Sequence, residues 1–446
     1  MKIFCVSYAA RSSMLSALLV MGMMSEGLQA ETLAERLETV LSQHRLIRMV
    51  DADVAASAEG VDIERSAWYP QLSVNLSQGK HDIERDQGTS GDFEPTEQSI
   101  ELKQLVWDFG LTNSRIQSAK NVYYKEDKER DLQKQNLLLA AVEAHLQVVR
   151  TRQTVEFSKA SVRNIKRQTR LESSRIEAGR GYAADSLQAR SQLASAQARG
   201  VAAQGSLDIA LSRYQAVYGQ LPVDPGQLDF LTVSNSVMPD TLQDAVSLLR
   251  QHNPDIQAAK SRADIEKAQI DVARLSELSP RLDFSLGQNN YSELDGAFGN
   301  REDVKAELKL RWNFNLGMKV SSSQRSASHR FASAQERAEY TYVQAVEEVE
   351  NAWVSWNSAK NRGALLDEQA AISMKFLELA RKERDMGKRS LLDILSGETS
   401  IINAQSDAVQ AKVDESIAAF RLLRAVGGMS LDLFKENSFR PLANND

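Results

Sequence analysis

The sequence predicts a mostly α-helical protein with a small β part, built from two copies of one unit. Three observations carry that expectation. The eight prolines stand at Pro70, Pro95, Pro222, Pro225, Pro239, Pro254, Pro280 and Pro441, which leaves 96–221 and 281–440 without the strongest helix breaker. Landmarks recur at a nearly constant offset: Gly179 with Gly387, Asp185 with Asp393, Ala196-Gln197 with Ala404-Gln405 and Gly219 with Gly427, each 208 apart. Short segments, finally, alternate apolar and polar residues with a period of two, the signature of strands.

Each copy reads as the same series of elements. A helix of moderate length comes first, over 31–67 and again over 241–278, ended by Pro70 and Pro280. Two alternating segments separated by a polar loop follow and end at Gly110 or Gly317. From Leu111 to Ala178 there are then 68 residues with neither Gly nor Pro. At 1.5 Å per residue such a helix spans about 100 Å. Apolar positions such as Leu137, Ala141, Ala144, Val148 and Val155 recur at three, four or seven, the spacing of a packed seam. Copy two repeats the long helix over Met318–Met386, with Gly363 inside it. Gly-containing turns at 179–184 and 387–390 reverse the chain into returning helices rich in alanine, which permits close helix contact. The organisation is therefore a first repeat at 31–220, a linker at 221–240, a second repeat at 241–428 and a tail at 429–446.

Residues 1–30 precede this scheme. Lys2 and Arg11 give a positive start before an apolar run at 14–24, followed by Leu28-Gln29-Ala30, the pattern of a secretory signal peptide. The run is too short to span a bilayer, which takes about 20 residues. Cys5, the one cysteine, lies in this leader, so the exported chain would hold no disulfide and no thiolate site.

Composition excludes several function classes. Of 446 residues 42% are hydrophobic and 26% charged, with a net charge of -6, and no basic stripe interleaved with aromatics speaks for nucleic acid. The mean hydropathy of -0.39 excludes a bundle of transmembrane helices. His44, His81, His145, His252 and His329 are scattered without metal-ligand spacing, and no Gly-rich phosphate loop occurs. Neither an enzyme nor a cofactor is expected.

The strands decide the class. Val304, Ala306, Leu308, Leu310, Trp312 and Phe314 alternate with Lys305, Glu307, Lys309, Arg311 and Asn313. Leu72, Val74 and Leu76, Leu282, Phe284 and Leu286, and Ile100 and Leu102 alternate likewise, with the phase slipping near Leu105-Val106-Trp107. Such segments suit either an antiparallel sheet with one solvated face or a transmembrane β-barrel with an apolar face to lipid. Four strands cannot close a barrel, and an open edge is not tolerated in lipid, so a barrel would need several copies of the chain.

The duplicated helix–strand–strand–helix–hairpin unit, with its junctions Gln104-Leu-Val-Trp107-Asp-Phe-Gly110 and Trp312-Asn-Phe-Asn-Leu-Gly317, resembles the TolC family of outer-membrane channels, in the branch serving type I secretion. The resemblance runs from about Glu31 to Leu433. It implies a homotrimer in the outer-membrane lipid of a Gram-negative bacterium, with twelve strands in one barrel and the long hairpins forming a tunnel across the periplasm. It implies docking onto a periplasmic adaptor, itself joined to an inner-membrane transporter of the ABC type. Many efflux relatives carry a lipid-modified cysteine after the leader, and none stands there in this chain.

Its site residues lie at the hairpin tips, Gly179-Arg180-Gly181 to Asp185 and Gly387-Lys388-Arg389 to Asp393. In the family an acid six after the first glycine pairs with an arginine two after the second and holds the entrance shut; here these are Asp185 and Arg389. Asp393 matches an acidic ring at the constriction. The family's type member has a further acid three residues on, where Ser396 stands, and a tyrosine three before the second glycine, where Arg384 stands. Gly179, Arg180, Gly181, Gly387, Lys388 and Leu391 match the tip that docks the adaptor, and Trp107, Gly110, Trp312 and Gly317 the junctions of barrel and tunnel. Plainer roles stay open: Gly179 and Gly387 as helix C-caps, and Ser390 with Asp393 as N-cap and N3. So do other functions: a small-molecule efflux channel, a periplasmic adaptor, or a structural coiled coil.

Overall fold

The computed structural model describes residues 32–84, 86, 90–179, 182–234, 236–293, 299–314 and 317–435. The leader expected at 1–30, Arg180 and Gly181 of the first tip, and most of the expected tail lie outside the described residues.

The first repeat opens with α1 (Leu33–Gln43) and α2 (Arg45–Ser66), and the second with α5 (Leu242–His252) and α6 (Pro254–Leu278). Sequence periodicity predicts one helix in each place; the chain forms two. His44 and Asn253 adopt extended backbone at the breaks, and each caps the helix that follows. Asn253 Oδ1 accepts from the Asp255 and Ile256 amides at 2.8 and 3.3 Å, with Pro254 preset as the first helical residue. At α1 a Thr32–Glu35 capping box does the same work.

Strands β1 (Gln71–Gln78) and β4 (Thr96–Trp107) follow α2, and β5 (Arg281–Ser292) and β6 (Asn300–Arg311) follow α6. They form one antiparallel sheet in the order β1-β4-β5-β6, so the two repeats join through β4 and β5. A small ribbon, β2 (His81–Ile83) with β3 (Gly91–Phe93), caps the β1–β4 loop. The phase slip in the sequence near Leu105–Trp107 is a β-bulge, where β4 shifts register against β5.

The long helices have the expected extent: α3 (Leu111–Glu177) and α7 (Lys319–Asp385), each 67 residues. Helices α4 (Ala183–Tyr218) and α8 (Leu391–Ala425) return against them. The main core is not at either end. It gathers where the middle of α3 (Leu137, Val142, Leu146) meets α1, α5, Val349 of α7 and the end of α8 (Phe420, Leu422). Smaller clusters pin the hairpins together nearer the tips, where Ile165, Ala189 and Ala196 of the first hairpin enclose Leu391 and Leu395 of the second. A short α9 (Asp432–Lys435) lays Phe434 over Phe420 with stacked rings 5.9 Å apart.

Candidate functional site

Two regions hold the residues singled out in the sequence, the sheet with its junctions and the hairpin tips. In the sheet, register sets the faces. Leu72, Leu102, Leu286 and Ala306 stand in one row and Val74, Ile100, Gln288 and Val304 in the next. Below them Phe284 pairs Leu308 and Leu282 pairs Leu310. Leu72, Val74, Leu76, Ile100, Val304, Leu308 and Leu310 are all more than half exposed in the single chain. An apolar face this continuous is one that something other than water must cover. The other face carries charge, with Lys103, Asp283, Lys305, Glu307 and Lys309 among its side chains.

The strands pass into the long helices through strained turns. In the first, Phe109 and Gly110 take positive φ of 58° and 102°. Asp108 steadies it: its buried carboxylate accepts from the Gly110 amide at 3.2 Å and the Thr112 amide at 2.7 Å, neutralising open N–H groups at the start of α3. In the second, positive φ falls on Met318, at 57°. Trp107 stacks on Phe109 with centroids 4.7 Å apart, and Trp312 donates its indole N–H to the Leu278 carbonyl at 3.0 Å beside Phe314. The expected junction residues Trp107, Gly110, Trp312 and Gly317 thus all stand at the foot of the sheet.

At the tips Gly179 and Gly387 adopt φ of 68° and 75°. The second tip is a Schellman motif, with Lys388 N–H bonded to the Glu383 carbonyl and Gly387 N–H to that of Arg384, both at 2.9 Å. Ser390 caps α8 by accepting from the Asp393 amide at 3.1 Å, and Asp393 itself is exposed in the first turn. Asp185 holds the equivalent place in α4. Within the single chain Arg389 is not with Asp185. Its Nε donates to Glu383 at 2.7 Å, and its guanidinium lies over the Phe376 ring at 5.3 Å.

Beside the tips Arg384 joins the two hairpins. It donates to the Arg389 carbonyl at 3.0 Å and to Glu172 of α3 at 2.5 Å, where Arg175 also reaches at 3.1 Å. One level up, Arg381 of α7 pairs with Glu398 of α8, which also accepts from Asn164 of α3 at 3.3 Å. Both carboxylates are buried, at 3% and 1% exposure. Sequence reasoning missed this pair, though a signal was present. Glu172 lies seven after Ile165, and Glu398 seven after Leu391, so each puts a charge where the seam calls for an apolar residue. Leu391, expected at the docking surface, is buried between the hairpins instead, because it faces Ile165 and Ala189. The exposed apolar side chains near the tips are Tyr182, Leu187, Met386 and Leu392.

A four-stranded sheet with two open edges, apolar on one face and charged on the other, standing on hairpins of about 100 Å, defines a protein of the outer-membrane channel-tunnel class. Among the described residues no helix is long and apolar enough to cross a membrane. The family model for outer membrane efflux proteins matches residues 37–220 and 245–428, and the chain belongs to that family. It is 25% identical over 418 residues to the outer membrane protein TolC of Vibrio cholerae, covering 92% of this chain and 94% of that one. It is 24% identical over 375 residues to the alkaline protease secretion protein AprF of Pseudomonas aeruginosa, covering 80% and 76%. The fold is similar to the crystal structure of the CmeC outer membrane channel of Campylobacter jejuni, with a TM-score of 0.77 over 91% of this chain and 88% of that one at 14% identity. The resemblance to TolC-family channels read from the sequence is borne out, and the protein is an export channel of the outer membrane.

Proposed function

We propose that three copies of the chain build one conduit, and that it serves type I protein secretion. The observation that carries the trimer is the sheet. Among the described residues its outer strands β1 and β6 each have a free edge, and its apolar face is bare, so in lipid every edge must find another copy. Joining β6 of one copy to β1 of the next, three times, gives twelve strands and leaves no edge. The apolar face then meets lipid and the charged face lines a wet lumen. The paired hairpins continue that lumen as a tunnel through the periplasm.

The conduit is passive. An inner-membrane ABC transporter supplies the work, and a periplasmic adaptor engages the tips around Tyr182, Leu187, Lys388 and Leu392. The entrance is held shut at two levels. Within each copy Arg384 on Glu172 and Asn164 on Glu398 keep the second hairpin on the first, and Arg381 steadies Glu398 from within its own hairpin. Between copies Asp185 meets Arg389, which must then share or release Glu383. Asp393 adds negative charge at the constriction. The similarity to a protease secretion protein favours protein cargo; the family's description as efflux proteins keeps small-molecule efflux as the second reading.

Fractionation and native mass measurement test the assembly. Recovery from the outer membrane at three times the chain mass is expected, whereas a soluble periplasmic monomer would overturn the proposal. Cargo is tested by deletion of the gene: loss of a protein from the medium supports secretion, and drug sensitivity with an unchanged exoproteome supports efflux.

A further inference from the structure

The charged face of the sheet is not uniform. Near its top one row reads Asn75, Ser99, Asn289 and Asp303, and two residues lower the row Ser73, Glu101, Gly287 and Lys305 is balanced. At its foot the balance breaks. Lys103, Ser285 and Glu307 share a row, Asp283 faces Lys309, and Arg281 faces Arg311. Four cations stand there against two acids.

The geometry shows that the acids are already committed. Glu307 pairs with Lys309 at 2.5 Å. Asp283, its side chain 2% exposed, receives Arg281 Nε at 2.9 Å, with Lys103 Nζ and Arg311 Nη2 each at 3.9 Å. One carboxylate therefore serves three cations. Arg281 and Arg311 also lie directly across from each other, an arrangement of like charges that costs stability in a sheet. Their side chains are about half exposed, at 51% and 56%, and so present charge to the solvent on this face. The level is fixed by Trp107 and Trp312 at the same strand ends, where aromatic side chains mark the membrane boundary.

We propose that this foot of the sheet is an anion-binding collar, built from Arg281, Arg311, Lys103 and Lys309, that takes carboxylate-rich polypeptide segments as they pass from tunnel to barrel. The inference rests on the reading that three copies enclose the charged face as a lumen. Twelve cations against six acids then ring the foot, a net excess of six positive charges, and the low-dielectric wall of lipid and sheet focuses that field on the passage. Their sign is opposite to that of Asp185 and Asp393 at the far end. A cargo segment rich in Asp and Glu would pause at the collar, bound bidentately by the arginines, and leave when the following segment displaces it.

The test uses the full-length channel in planar bilayers, with a poly-L-glutamate of about 20 residues added on the barrel-mouth side. Reversible block is expected, relieved on moving from about 0.1 M to about 1 M KCl as the Debye length shrinks from about 10 to 3 Å. Poly-L-lysine at the same concentration should block at least tenfold less well. In Lys309→Gln/Arg311→Gln, which leaves Arg281 on Asp283, half-block should need at least tenfold more poly-L-glutamate. Equal block by the two polymers, or block indifferent to salt, overturns the collar without recourse to any variant. So does unchanged block in the double variant. A preparation with no conductance at all would count against the channel reading instead.

Discussion

Helices α3 and α7 hold equivalent places in the two repeats and have the same length, yet they are buried very differently. Helix α3 buries side chains from Thr112 to Glu172 and packs on α2, α4, α6 and α8. Helix α7 buries Ala327, Ala345, Val349, Gly363, Leu377 and Ala380, and leaves Tyr340, Val343, Val354, Leu365, Ile372 and Leu379 exposed. Those exposed residues fall at intervals of 3, 11, 11, 7 and 7, which keeps them on one stripe of a helix. The two repeats thus hold rods of equal length, of which the second leaves more of its apolar surface exposed. One rod organises the chain; the other leaves an apolar stripe exposed, the seam that the proposed trimer would cover.

The largest effect is expected from breaking that asymmetry. Leu365→Asp with Ile372→Asp puts charges on the α7 stripe, which is solvent-exposed in the isolated chain but buried in the proposed trimer. Helix content by circular dichroism should stay unchanged while the three-chain species disappears. A trimer that survives would show that α7 does not meet another copy.

Glycines that end the returning helices sharpen the same comparison. Gly219 and Gly427 both take positive φ, 77° and 83°. A Cβ on Gly219 would meet nothing within 4 Å, whereas on Gly427 it would lie 2.6 Å from the His252 carbonyl at the break between α5 and α6. Gly219→Ala should cost about 1–2 kcal/mol, the left-handed backbone alone. Gly427→Ala adds about 1–3 kcal/mol of overpacking. Urea unfolding of the two variants side by side reads the difference.

The buried acids differ between repeats as well. Glu172 of the first corresponds, 208 residues on, to Ala380 of the second, so only one seam carries the charge that Arg384 clasps. Removing one partner of a buried pair costs about 3–5 kcal/mol. Arg384→Ala should therefore loosen the tips and raise single-channel conductance, and it should do so more than Asp185→Ala or Arg389→Ala. Conductance unchanged in all three would dismiss the entrance latch.

His145 offers a pH test. Its equivalent in α7 is Trp353. Buried in α3, His145 holds the linker through a 2.8 Å bond between Nε2 and the Asp229 carbonyl, while Nδ1 is buried with no partner among the described residues. Burial pushes the imidazole down to about 4; the Asp229 bond opposes this and the charge of Arg36 adds to it. A histidine whose folded value lies below its unfolded one binds more protons when unfolded. Its stabilisation is complete above pH of about 6.5 and is lost as pH falls towards 4, about 3 kcal/mol in all. Thermal melts between pH 7.5 and 4 should show that loss, and His145→Gln should remove this part of the slope.

What was legible in the sequence follows from length scale. Long-range repetition and period-two alternation are properties of many residues at once, so the rods, the strands and even the slip at Leu105–Trp107 could be read. The helix breaks at His44 and Asn253 could not, because a single extended residue leaves the seam periodicity on both sides intact; Pro254 was the one available sign. The tip partners are hard to read for a different reason. Whether Arg389 meets Glu383 or Asp185 depends on packing between hairpins 200 residues apart, and Leu391 reads as an exposed tip residue until Ile165 and Ala189 are brought against it. Glu172 and Glu398 stood in plain view as charges on an apolar seam.

The smallest expected effect concerns the two acids at equivalent places in the tips. Asp393 follows a helix start capped by Ser390, whereas the N-cap of α4 is Tyr182, which makes no side-chain cap bond. With its N–H groups partly served, α8 has less use for a carboxylate as a dipole partner than α4 has. Asp393→Asn should then leave thermal stability nearly unchanged and act through the passage, moving the reversal potential in a KCl gradient towards lower cation preference. Asp185→Asn should do the reverse, lowering the melting temperature more and the selectivity less. If the two substitutions shift both readouts equally, the capping difference between the hairpins has no bearing on conduction, and the acids act as one ring.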